Sequence, residues 1–309
     1  MIELVVGIAV YLAWSVGVHT LGTVAGMILG GGLLRLRTAL ILAGIFGVIG
    51  LLFLSKGIVK TIGTELVSLD SSGQLSIFIS MAVLITILAW RGLPVSTGYV
   101  TIGSIAGYSI LNNVSFNFAL FEEILVAFLT SPIASLVVAF LIYKTIEKLW
   151  LSKLKGIGEI EIFEKSFLIP GIIGFIIMAT ALGANSIGVV MGILGGMYSH
   201  TTLVIIGSIG FVIGLSTWSY KVAKTMGIKV TDLSPSRSFS AMLAAGLVVL
   251  AFVSFGIPVS TSQTLIGAII GVGLARKNIG KLILRKMVVA WLIVLPASFF
   301  LAGFIGMIL

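Results

Sequence analysis

Apolar runs long enough to cross a lipid bilayer recur along the chain from one end to the other. A transmembrane helix needs roughly 17–25 mostly apolar residues, and only 9% of the 309 residues are charged, whereas soluble proteins carry about a quarter. We therefore predict an all-α polytopic membrane protein without a soluble domain. Ten segments are expected in the membrane: 2–34, 37–55, 74–90, 94–111, 118–143, 166–198, 200–218, 238–256, 258–275 and 287–308.

The same composition argues against several functional classes. Cysteine is absent and only two histidines occur, so the chain offers no thiolate for catalysis or for a metal site. No nucleophile–base pair and no nucleotide-binding loop is recognisable, which predicts a protein that is not an enzyme and has no cofactor. The net charge of +9 does not require nucleic acid as a partner, because basic residues gather on the cytoplasmic loops of membrane proteins.

The two halves of the chain repeat one another. The stretch G92-L-P-V-S-T-G-Y-V matches G256-I-P-V-S-T-S-Q-T, 164 residues later, and Pro132 matches Pro296 at the same spacing. Regularly spaced glycines near the start of each half match at a spacing of 166 residues. Several matches in the same order at nearly constant spacing indicate a duplicated unit. We predict a membrane repeat at 1–143, a linker at 144–165 and a second membrane repeat at 166–309.

The basic residues predict how these repeats lie in the membrane. Each repeat has five apolar segments, an odd number, so the two repeats should have inverted topology. With the N-terminus outside, 17 of the 19 Lys and Arg residues fall on the cytoplasmic side, as the positive-inside rule requires. The expected protein is a multi-pass component of the cell membrane, with both termini outside and the 144–165 linker in the cytoplasm.

Two pairs of helix breaks are expected near the membrane midplane. The first segment of each half has about 33 residues, too long for one crossing at about 1.5 Å per residue, so we expect broken or re-entrant helices after Gly17 and Gly183. In the other pair, Pro94 and Pro258 stop a helix and the next one starts at Ser-Thr. Inverted repeats with discontinuous helices are typical of secondary transporters, which bind substrate where the breaks meet.

The hydroxyl groups at the P-V-S-T pair suit a small anion. Ser and Thr favour the N-cap of a helix and also present hydroxyl donors, while the N-terminus of a helix attracts negative charge. A single such motif is more often just the start of a helix, and spaced glycines are usually packing surfaces. The duplication favours binding. The residues at these positions are Ser96, Thr97, Ser260, Thr261 and Ser262.

At this level of detail the chain resembles the inorganic phosphate transporter (PiT) family over nearly its whole length. G183-A-N-S-I-G-V-V-M-G is similar to the family motif G-A-N-D-x-A-N-x-x-G, and L93-P-V-S-T-G-Y and I257-P-V-S-T-S-Q are similar to L-P-V-S-T-T-H. The resemblance implies an ion-coupled symporter of inorganic phosphate that works by alternating access, and makes a homodimer plausible. It also implies that Asn185, Ser96, Thr97, Ser260 and Thr261 contribute to the central anion site.

The chain departs from the family motifs at several positions that matter for chemistry. Thr20 and Ser186 stand where the family has aspartate, and Thr23 stands where it has the second asparagine of the first motif. Tyr99 and Gln263 replace the histidines. We keep Thr20, Thr23 and Ser186 as candidate substrate ligands and Gln263 as a candidate coupling residue.

The missing aspartates leave the substrate and the coupling ion open. Hydrogenphosphate carries an O–H that a carboxylate accepts, whereas sulfate needs only donors, so sulfate, or a thiosulfate-like oxyanion, is an alternative substrate. The coupling ion is H⁺ or Na⁺, and His19 is a candidate proton carrier because its unperturbed pKa lies near 6.5. A passive oxyanion channel, or a receptor derived from a transporter, would have the same polar lining.

Overall fold

The computed structural model describes residues 2–90, 96–220, 223, 234–276 and 281–309, which are mostly helical. In these ranges the only β-pairing is a single bridge between Val67 and Phe116. Among the described residues, seven helices are long and apolar enough to cross a membrane, and shorter helices add further apolar segments. The helices are α1 (Ile2–Gly30), α2 (Leu36–Leu54), α3 (Lys56–Lys60), α4 (Ser71–Trp90), α5 (Thr97–Leu111), α6 (Phe118–Leu149), α7 (Ile157–Ser166), α8 (Leu168–Leu182), α9 (Gly188–Gly192), α10 (His200–Thr217), α11 (Pro235–Ser254), α12 (Thr261–Ala275) and α13 (Lys281–Ile308). This confirms the prediction of an all-α polytopic membrane protein.

The helices α5 and α12 are too short to cross a bilayer. Each has 15 residues, or about 22 Å at 1.5 Å per residue, against a hydrocarbon core of about 30 Å. Their N-caps, Ser96 and Ser260, are both buried, so both helices begin inside the protein. Before Ser260 the chain is non-helical from residue 257, as expected for a break at Pro258. Pro94 lies outside the described residues.

The other pair of expected breaks differs from the prediction. In the first half, α1 runs from Ile2 to Gly30 without interruption, so the break expected after Gly17 is wrong. Gly17 serves close packing instead, because a Cβ there would lie 2.5 Å from the carbonyl oxygen of Phe211 in α10. In the second half, a π-helical turn at Gly183–Ile187 joins α8 to α9. The helix therefore changes locally from α-helical to π-helical geometry, but it is not re-entrant.

The two repeats exchange equivalent contacts. The short helix α5 of the first half packs on α13 of the second, and α12 packs on α6 in the same way. A Cβ on Gly103 would meet the carbonyl oxygen of Leu295, and one on Gly267 would meet that of Pro132. Each half therefore completes the packing of the other. The inverted orientation, the outside termini and the cytoplasmic linker remain predictions.

Two equivalent hydrogen bonds also join the repeats, near the C-terminal ends of α1 and α9. The Gln74 side chain of α4 donates to the carbonyl oxygen of Ile193 over 3.0 Å, and Ser238 of α11 donates to that of Met27 over 3.1 Å. Gln74 and Ser238 are 164 residues apart, while Met27 and Ile193 are 166 apart. The two sequence spacings therefore correspond to equivalent contacts in the fold.

The linker at 144–165 is more ordered than a simple loop. Helix α6 continues to Leu149, and α7 occupies Ile157–Ser166 without a buried residue. The carboxylate of Glu159 accepts from the backbone N–H groups of Lys155 and Gly156, which lowers the pKa of that carboxyl below its usual range. The division into two repeats and a linker at these boundaries remains a prediction.

Candidate functional site

The N-termini of α5 and α12 meet through their capping serines. The hydroxyl oxygens of Ser96 and Ser260 are 2.8 Å apart, and both side chains are at least 96% buried. Each hydroxyl also accepts from its own helix, from the N–H of Tyr99 over 3.4 Å and from that of Gln263 over 3.3 Å. Equivalent atoms of the two repeats are thus in direct contact, and two positive helix ends converge on one point in the interior.

The π-helical turn of the second half joins this point through Asn185 and Ser186. The Asn185 amide donates to the carbonyl oxygen of Val259 over 2.7 Å and to the Thr261 hydroxyl over 2.8 Å. Its own oxygen accepts from the N–H of Val259 over 3.0 Å. The Ser186 and Thr261 hydroxyls are 2.9 Å apart. Single π-turns often lie at functional sites, and this one is bonded to the non-helical segment that leads into α12.

The corresponding residues of the first half form a looser set. The Thr20 side chain is buried and its hydroxyl has no hydrogen-bond partner. Thr23 donates to the carbonyl oxygen of His19 in its own helix over 3.0 Å, and His19 is half-buried. Thr97 is buried, and its carbonyl oxygen accepts from the Thr101 hydroxyl. The first half therefore contributes fewer hydrogen bonds between site residues than the second half.

Two further candidates lie in the first turn of α12. Gln263 is 99% buried. Ser262 is half-buried. Gln263 and Tyr99 are equivalent in the two repeats, and the Tyr99 ring packs on Phe128 with centroids 4.8 Å apart. The side chains of Tyr99 and Gln263 interact, so these equivalent residues lie together next to the serine pair.

The site is uncharged and rich in donors. Asn185, Ser96, Ser260 and Thr261 carry no formal charge, and the sequence has no Asp or Glu at 71–121, 165–231 or 233–309. Within the described residues no group of three or more His, Cys, Asp or Glu side chains is placed to hold a metal ion. Hydroxyls and amides beside two helix N-termini can donate several hydrogen bonds to the oxygens of an anion.

Comparison with known proteins supplies the family. The model of the phosphate transporter family matches residues 16–162 and 159–302, once for each repeat. The chain belongs to the phosphate transporter family. The resemblance to the PiT family seen in the motifs is thereby confirmed, and the family is one of transporters rather than enzymes.

Individual relatives extend over nearly the full length of the chain. A candidate phosphate permease of Methanocaldococcus jannaschii is 33% identical over 300 residues, covering 96% of this chain and 94% of its own. A candidate phosphate permease of Pyrococcus furiosus is 27% identical over 392 residues, covering 99% and 95%. A solved structure described as the sodium-dependent phosphate transporter has a TM-score of 0.87 at 19% identity, covering 98% and 97%. That likeness shows a shared fold.

The backbone of Val259 is a site component that the sequence did not indicate. Its N–H and its carbonyl oxygen are both bonded to Asn185, although its side chain is apolar. Its position between Pro258 and Ser260 is the signal that could have found it. A non-helical residue between a helix stop and an N-cap must find partners for its backbone groups outside a helix.

Proposed function

We propose that this chain transports inorganic phosphate across the membrane, by alternating access and with coupling to an ion gradient. The family and the curated relatives support phosphate as the substrate. The observation that carries the proposal is the contact between the Ser96 and Ser260 hydroxyls at the N-termini of α5 and α12. It concentrates hydrogen-bond donors from both repeats at one buried point, where inverted-repeat transporters bind their substrates.

The chemistry of binding follows from what these hydroxyls do in the free protein. Ser96 and Ser260 bond to each other, and Thr261 bonds to Ser186 and Asn185. An incoming oxyanion exchanges these mutual bonds for bonds to its own oxygens, which are stronger because the acceptor is charged. The hydroxyls can also accept a hydrogen bond, so the proton of hydrogenphosphate has a partner without a carboxylate.

Sulfate is the second candidate substrate. The observation that favours it is the pair Thr20 and Ser186, hydroxyl residues where the family motifs have aspartate. A fully ionised tetrahedral anion needs donors only, and a buried carboxylate would repel it. A passive oxyanion channel would use the same lining but would not accumulate substrate against its gradient.

The coupling ion in this proposal is H⁺ or Na⁺. For a proton, His19 is the proposed carrier, since it lies half-buried in α1 at the position equivalent to Asn185. For Na⁺, the hydroxyl and carbonyl oxygens around the serine pair are the available ligands. We further propose inverted repeats with both termini outside, and a homodimer as the assembly.

Uptake by proteoliposomes tests the substrate and the coupling together. The purified full chain is reconstituted, and labelled phosphate or sulfate is offered under an imposed Na⁺ gradient, an imposed proton gradient or neither. We expect phosphate to accumulate above its external concentration under at least one gradient. Accumulation of sulfate alone establishes the second candidate, equilibration without accumulation establishes a channel, and no uptake of either anion overturns the proposal.

A further inference from the structure

The linker helix α7 is joined to the second repeat by one carboxylate. Glu164 accepts three hydrogen bonds from the start of α11: from the Ser234 hydroxyl over 2.7 Å, from the Ser236 N–H over 2.8 Å and from the Ser236 hydroxyl over 2.9 Å. Ser236 is fully buried and Glu164 is half-buried. A carboxylate at a helix N-terminus is stabilised both by these donors and by the helix dipole.

In the first repeat, the start of the equivalent helix α4 is capped without the linker. Asp70 is the residue equivalent to Ser234, 164 positions earlier, and it precedes α4 as Ser234 precedes α11. Its own carboxylate accepts from the Gly73 N–H over 2.8 Å and from the Tyr108 hydroxyl over 3.3 Å. In the second repeat the carboxylate therefore comes from a different part of the chain, and the helix start is tied to the linker.

An aromatic contact reinforces this junction. The rings of Phe163 and Phe167 are 5.1 Å apart between centroids, and the ring of Phe167 is 5.6 Å from that of Phe239 in α11. The α7 helix needs such support, because it has only ten residues and isolated helices below about 12–15 residues are marginal in water. Its order consequently depends on what it is docked against.

We propose that Glu164 is a latch that fastens α7 to the start of α11. The latch makes α7 part of the second repeat and leaves residues 150–156 as the joint between the repeats. That short segment contains a 3₁₀ turn at Leu151–Lys153. The proposal concerns the free chain and does not depend on which anion is transported.

Hydrogen–deuterium exchange of the full chain in detergent or in liposomes tests the latch. Glu164→Ala should speed the exchange of amides in 157–166 by about tenfold or more, the effect of losing a charge-assisted hydrogen bond. Alanine is a good helix former, so lost intrinsic helicity would not explain the change. Glu161→Ala is the matched control, because among the described residues Glu161 pairs only with Lys165 of the same helix, and it should leave the exchange of 157–166 unchanged.

A second variant separates latching from helix capping. Glu164→Ala combined with Ser234→Asp gives α11 a cap of the kind that Asp70 gives α4. We expect this double variant to recover the slow exchange at the start of α11 while α7 still exchanges fast. Unchanged protection of α7 in Glu164→Ala would overturn the latch, and so would recovery of α7 protection in the double variant, since Glu164 would then act only as a cap.

Discussion

Replacing Asn185 by alanine tests how the buried network is held together. The side chain is 99% buried and makes three hydrogen bonds, two to the backbone of Val259 and one to Thr261. Hydrogen bonds between helices in membranes contribute about 0.6 kcal/mol on average and up to about 1.7, so three of them give about 2 to 5 kcal/mol. Leaving two buried backbone groups unpaired, at about 1–3 kcal/mol each, leads to a similar range.

The assay for this variant is equilibrium unfolding in mixed micelles with increasing denaturing detergent. Asn112→Ala is the matched control, because the Asn112 amide is half-buried and donates to the carbonyl oxygens of Tyr108 and Gly303. Tyr108 keeps its bond from the Asn112 N–H and the Asn112 side chain is half-buried, so we expect a loss at the lower end of the same scale, about 1 kcal/mol for two bonds. A loss of that size or smaller for Asn185→Ala would refute the reasoning, since the three bonds would then not stabilise the fold.

Three further predictions concern packing, coupling and topology. Gly267→Ala should destabilise the protein by about 1–3 kcal/mol, because the new Cβ would meet the carbonyl oxygen of Pro132. Gly7→Ala is the control and should not destabilise it, because a Cβ there has nothing within 4 Å. Equal thermal stabilities of the two variants would contradict the close packing at Gly267. His19→Ala should abolish uptake driven by a proton gradient, and full retention of that uptake would exclude His19 as the carrier. Ser152→Cys introduces the only cysteine of the chain, and in intact cells an impermeant maleimide should fail to label it; labelling would place the linker outside.

The sequence predicted the fold where it repeats and where its side chains are polar. The 164-residue spacing predicted that Ser96 and Ser260 occupy equivalent positions, and the structure places them in contact. The sequence did not predict the role of Val259, because a residue type does not show which partners its backbone groups bond to. The continuity of α1 through Gly17 was also missed, since a glycine that permits close helix packing looks the same in sequence as one that breaks a helix.

The linker shows a second limit of prediction from sequence. A mixture of Lys and Glu over 144–165 is typical of a solvated loop, and α7 is too short to show a clear helical period. What orders it is a contact at long range, from Glu164 to Ser234 and Ser236, which no local pattern reports. The equivalent Asp70 could have suggested it, because a serine at position 234 leaves the second repeat without the carboxylate that the first repeat has.

The affinity for phosphate of variants at the serine pair tests the central claim most directly. Binding of labelled phosphate to the purified protein is measured for Ser96→Ala and Ser260→Ala, with Ser135→Ala as the control, a buried serine of α6 whose hydroxyl has no partner. Each site variant loses one hydrogen bond to a charged ligand, so we expect the affinity to fall about tenfold to a hundredfold, and similarly for both. Unchanged affinity in both site variants would mean that the two serines are helix caps and that the anion binds elsewhere.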